Sequence, residues 1–150
     1  MGKETLGMLD KDVRSHFSSV QGWLGILIGS VWVFHGLYSK ILDGIPRHKL
    51  IVSRILGDDI GGPATLVIGS MEILLGLWAF SGWQRRACAA VQTLAILSMN
   101  SLEIYLANDL LISAIGMLVL NAAFITVIWY WALAKRSTEP TRLHATAGGE

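Results

Sequence analysis

Glu72 is the residue whose chemistry most needs a reason. It lies inside Ile60–Phe80, an apolar stretch with no basic residue between Arg54 and Arg85. A charge near the middle of a bilayer is expensive, so such a group is protonated, paired or functional. A carboxyl at that depth can exchange a proton or hold the polar end of a ligand. Other apolar stretches carry polar residues of their own: His35 and Lys40 early in the chain, Gln92, Asn100 and Glu103 in its second half, and Asn121 late. Helical spacing puts Gly69, Glu72 and Gly76 on one face, so Glu72 is expected to point at protein and to bond an amide or a histidine. Cys88, Gln92, Met99 and Glu103 share another face, with Asn100 beside them, and Ala114, Met117, Asn121 and Ile128 share a third. With a rise of 1.5 Å per residue, Glu72 and Asn121 lie about 15 Å from the outer edge, Gln92 slightly deeper and His35 about 10 Å down. These groups converge on one interior patch that opens outwards.

A blander reading competes with this one. Amides bond across membrane helices as glue, at about 0.6 kcal/mol each on average. Lys40 and Glu103 sit near the surface, where they would snorkel to the headgroups or pair with each other. Cys88 reads as a small packing residue. A single cysteine, with no HxxxH or ExxH on a helix, implies no metal site and no covalent cofactor. No catalytic residue can be assigned.

The elements that must position these residues follow from hydropathy. The chain has 150 residues, 53% apolar and only 15% charged, where a soluble domain carries about 25% charge. Mean hydropathy is +0.53. A helix needs roughly 20 residues to cross the hydrocarbon, and four segments qualify: Val20–Leu42, Gly61–Phe80, Gln84–Leu106 and Leu110–Leu133. The expected fold is an all-α membrane protein, a four-transmembrane-helix bundle over residues 20–134. Residues 1–19 form a polar N-terminal tail, not expected to be a cleaved signal, and 135–150 a disordered C-terminal tail. In the first helix Gly25, Gly29 and Gly36 line one stripe, and Gly69 and Gly76 flank Glu72 in the second. Such small residues let helices approach closely. Within the first loop, Asp43–Ile60, Pro46 can open a short amphipathic segment lying on the membrane, and Gly61, Gly62 and Pro63 are expected to break the chain before the second helix.

The loops assign sidedness. The two tails and the second loop hold eight basic residues, against four in the first loop and its edge. Basic residues favour the cytoplasmic side, so both termini are expected there. Trp23, Trp78, Trp83, Trp129 and Trp131 fall near the inner interface as an aromatic belt. A net charge of +1 gives no argument for a nucleic-acid partner.

The stretches WVFHGLYSKIL (Trp32–Leu42), GSMEILLGLW (Gly69–Trp78) and Gln92–Asn121 resemble, in order and spacing, the helix signatures of DoxX-like membrane proteins. The resemblance covers about Trp23–Leu133. It implies that His35, Gly36, Lys40, Glu72, Gly76, Gln92, Asn100, Glu103 and Asn121 are the recurrent polar and small positions. It further implies a small protein of the bacterial inner membrane, with relatives linked to quinone-coupled thiosulfate oxidation or to membrane oxidoreductase complexes. The lack of paired cysteines argues against thiol–disulfide chemistry.

Two functions compete. The first is binding of a quinone- or lipid-like molecule at His35, Lys40, Glu72, Gln92, Asn100, Glu103 and Asn121, as an accessory of a membrane redox system, with oxidoreductase subunits as partners. The second is a non-enzymatic scaffold or assembly subunit of a larger complex or of a homo-oligomer. Whether the protein is itself an enzyme is left open by the sequence. A transporter is disfavoured, because no discontinuous helix or inverted repeat is visible.

Overall fold

The computed structural model describes residues 19–134. The two tails, apart from Ser19, lie outside the described residues. Four helices are long and apolar enough to cross a membrane: α1 (Ser19–Ile41), α3 (Asp58–Ser81), α4 (Arg85–Leu106) and α5 (Ala114–Leu133). A short α2 (Pro46–Leu56) lies between the first two. The fold is a four-helix membrane bundle, as the hydropathy pattern predicts. Leu66, Val67, Leu74, Leu94, Leu97 and Val119 are exposed on its outside. A patch this large would be untenable in water and is the normal surface of a protein in lipid.

Glycine sets the register of α1 on α3. A Cβ on Gly76 would lie 2.7 Å from the Gly29 carbonyl oxygen, and one on Gly69 would lie 2.8 Å from that of Gly36. The contacts are reciprocal and recur seven residues apart on both helices, so the pair is antiparallel with backbones touching. Gly25 faces Trp131 and the Ala79 carbonyl instead. This register leaves the first turns of α3 standing beyond the end of α1, where they pack on α2. A Cβ on Gly61 would strike Ser53. The Gly61–Gly62–Pro63 run therefore does not break the chain. Pro63 lies inside α3, removing a backbone donor only near a helix start, and Gly61 serves close packing. Asp58 and Asp59 fill the first turn, where negative charge complements the helix dipole.

Two local features depart from the predicted spans. The last eight residues of α1, Phe34–Ile41, form a π-helix, in which each N–H reaches five residues back. Its wider turns bring Gly36, Ser39 and Lys40 all to the buried side. At the other end of the chain, α5 starts at Ala114 and not at Leu110. Residues Asn108–Leu110 make a 3₁₀ turn, and the Ser113 hydroxyl then accepts the Gly116 N–H at 3.0 Å, an N-cap.

The apolar core lies towards the end of the bundle that carries the termini, around Ile28, Trp32, Ala79, Cys88, Ala89, Ile128 and Trp131. Trp131 is 1% exposed and belongs to this core, not to the aromatic belt expected of it. Arg85 lies over its ring, 5.3 Å from the centroid. At the opposite end α2 lies across π-helical α1, α3, α4 and the 3₁₀ turn. Its Ile51 and Val52 face inwards. Arg54 of α2 pairs with Asp109 of the 3₁₀ turn at 3.0 Å, both exposed. Such a pair contributes about 0–1 kcal/mol, so the buried apolar face and not this bridge holds α2 in place.

Candidate functional site

Lys40 and Glu72 form a buried ion pair. The ammonium donates to both carboxylate oxygens, at 2.7 and 2.8 Å, and their side chains are only 7% and 6% exposed. Glu72 faces the bundle, but its partner is neither an amide nor a histidine. Lys40 does not snorkel outwards: its stem crosses Gly69, where no side chain obstructs it, and reaches inwards. The absence of a Cβ at Gly69 and the π-helical turn that carries Lys40 together make this route available.

The amides form two separate groups of bonds. Asn121 donates to Asn100 at 2.7 Å, joining α5 to α4. Gln92 is fully buried, accepts the Trp32 indole N–H at 2.8 Å and donates to Cys88 Sγ at 2.9 Å. It is satisfied within the core.

A cavity of about 490 Å³ opens beside the ion pair, walled by α1, α2, α4 and α5, with Glu72 from α3 on its floor. Its polar lining comprises His35, Lys40, Arg47, His48, Glu72, Asn100, Glu103 and Asn121, and its apolar lining includes Trp32, Met99, Met117 and Phe124. The structure thus brings six of the seven proposed ligand residues to one space and leaves Gln92 outside it. His35 is on the rim, exposed, and not in the interior. Arg47 and His48 were missed by sequence reading. Their signal was present in the Pro46-led amphipathic segment, but nothing in the sequence shows that α2 folds back over the bundle.

These two residues carry unsatisfied groups that line the cavity. The Arg47 Nε and His48 Nδ1 atoms are buried with no hydrogen-bond partner, as is Ser39 Oγ. The His35 and His48 rings stand 6.1 Å apart, nearly edge to face. Burial, followed by the charge on Lys40 and then by His35 and Arg47, lowers the His48 pKa to about 4, with the Ser39 backbone pulling the other way. His48 is therefore neutral at physiological pH. Because an unfolded histidine takes its proton near pH 6.5, the folded state binds fewer protons between about pH 6.5 and 4. Its stability contribution is present above that window and is lost as pH falls through it. Thermal melts in detergent across this range should show that loss, and His48→Asn should reduce the slope. An unchanged slope would mean that His48 protonates as easily folded as unfolded.

Among the described residues, no group of three or more His, Cys, Asp or Glu side chains is arranged to hold a metal ion. What the site offers is a half-polar space lined by donors, acceptors and one fixed ion pair. It suits reversible binding of a molecule with a polar head and an apolar body.

A multi-pass membrane bundle with a polar cavity under an amphipathic cap is the class that fold and site define. Residues 29–129 match the DoxX-like family, and the chain belongs to that family. Neither the curated proteins nor the solved structures include a match to it.

Proposed function

We propose that the protein binds a quinone- or lipid-like small molecule in this cavity, as an accessory of a membrane redox system. The observation that carries the reading is the cavity itself. Its volume of about 490 Å³ falls in the usual range for ligand sites. The buried, unpartnered Arg47 Nε–H fits an acceptor oxygen on a ligand head, with the free His48 Nδ1 beside it, while Met99, Met117, Trp32 and Phe124 fit its apolar body. Glu72 and Lys40 then supply a proton-exchanging pair beside the head. A quinone would bring redox chemistry of its own, and Arg47 would hold its carbonyl. The setting we propose is the bacterial inner membrane, with both termini cytoplasmic and α2 on the outer face, and the partners are membrane oxidoreductase subunits.

The test is to isolate the protein in polymer-bounded native discs and analyse the bound fraction by mass spectrometry. One quinone or lipid species retained near stoichiometry, and lost in Met99→Trp, is the expected result. If Met99→Trp retains the same lipids as the parent, the scaffold reading stands in its place. One observation favours that alternative: 11% of the α5 window is buried, against 28–33% in the other three spans, so α5 has the most free surface for a partner helix.

A further inference from the structure

Of the fifteen residues that line the cavity, two are exposed, and both lie within spans: His35 on α1 and Leu120 on α5. Each is six residues from the α2 end of its helix, which places Leu120 about 9 Å below that end and His35, in the more compact π-helix, somewhat less deep. Trp32 and Phe124, with centroids 6.4 Å apart, close the gap between α1 and α5 one turn deeper. Above the gap the π-helical end of α1 packs on α3 and α2 while α5 packs on α4. The water-facing end is closed differently. There α2 lies across the bundle, its Arg47 and His48 half-buried in the cavity roof, and Arg54 is bound to the third loop.

We infer that the cavity is loaded sideways, from the bilayer, through the gap between α1 and α5 bounded by His35 and Leu120, so that its ligand is a membrane-dissolved amphiphile and not a water-soluble metabolite. This rests on the cavity being a ligand site, and it adds where the ligand comes from. A molecule partitioned among acyl chains arrives at the depth of the gap with its tail already in hydrocarbon. Its head turns inwards, past His35, to Arg47 and His48 under the cap. A polar solute would instead have to displace α2, whose inward face buries Ile51 and Val52.

The route can be tested without knowing the ligand, so its failure is distinct from failure of the binding reading. Cys88 is the sole cysteine, and Cys88→Ala provides a thiol-free background. Met117→Cys then reports from inside the cavity, and Leu94→Cys, 67% exposed, from the lipid face. In vesicles, a bilayer-partitioning pyrenyl maleimide should modify Met117→Cys, and a charged methanethiosulfonate confined to water should be slower. Adding Leu120→Trp should slow the maleimide by about tenfold, equivalent to ~1.4 kcal/mol on the barrier. Position 120 is itself 72% exposed, so the fold should tolerate the indole. Val119→Trp, on the neighbouring lipid-facing position, should leave the rate unchanged. The inference is overturned if the charged reagent is the faster one, if neither reagent reaches Met117→Cys while Leu94→Cys reacts, or if Leu120→Trp has no effect.

Discussion

Lys40→Met and Glu72→Gln should each destabilise the bundle by about 3–5 kcal/mol, and a double Lys40→Met/Glu72→Leu chain should recover most of the loss. Each single change leaves one charge buried without its partner, at side-chain exposures of 6–7%, and that stranded charge is what costs. The double change removes both charges together and keeps apolar volume. Thermal melting in detergent of the parent, Lys40→Met, Glu72→Leu and the double chain gives a double-mutant cycle, whose coupling should exceed its usual neighbour range of about 0.5–3 kcal/mol. If Glu72→Gln melts with the parent chain, the carboxyl is neutral in the native state and the pair is an ordinary hydrogen bond. The distinction matters for function, because only a charged pair can pass a proton between its members when a ligand head disturbs it.

Gly76→Leu should prevent α1 from closing on α3, while Gly22→Ala should be nearly silent. At Gly76 the first added carbon meets the Gly29 carbonyl and Val33 Cγ2, each at 2.7 Å, whereas at Gly22 nothing lies within 4 Å. A carbonyl in a helix cannot move aside as a side-chain tip can. The helices must separate, which costs about 1–3 kcal/mol or more from overpacking alone and also pulls Lys40 away from Glu72. Melting temperature and the fraction of monodisperse protein after extraction would measure this. A Gly76→Leu chain as stable as Gly22→Ala would show that the two backbones are not in contact.

Much of this architecture could be read from the chain, because lipid imposes blunt rules. The spans follow from apolar length, and the Gly29 and Gly76 faces from spacing, since only small residues permit such contact. The α2 helix follows from Pro46 and its alternating apolar residues. The misses share a cause. Sequence spacing converts to direction only if the helical step is known, and the Phe34–Ile41 segment does not keep the ordinary step. Lys40 therefore read as a snorkelling residue. Asn100 and Asn121 do share a cavity with Glu72, but they bond each other and not the carboxyl; depth was legible and azimuth across helices was not. Gln92 shares a face with the site residues by spacing, but its partners, Trp32 and Cys88, lie in the core. Ser113 was the overlooked signal, a helix-capping residue placed three before Gly116. Arg47 and His48 needed tertiary knowledge, since no local pattern states which way a loop helix folds.

The π-helical end of α1 gives that helix two phases. Ser19 to Val33 keep one step and Phe34 to Ile41 another, so the length of the second stretch is itself information. If Phe34 to Ile41 kept the ordinary step of about 100° per residue instead, Lys40 would be carried round the helix and off the face it now occupies. The ammonium would swing off the Glu72 carboxylate with hardly any change in composition or hydropathy. In a helix of this kind the step of the ladder encodes an electrostatic contact that composition does not show.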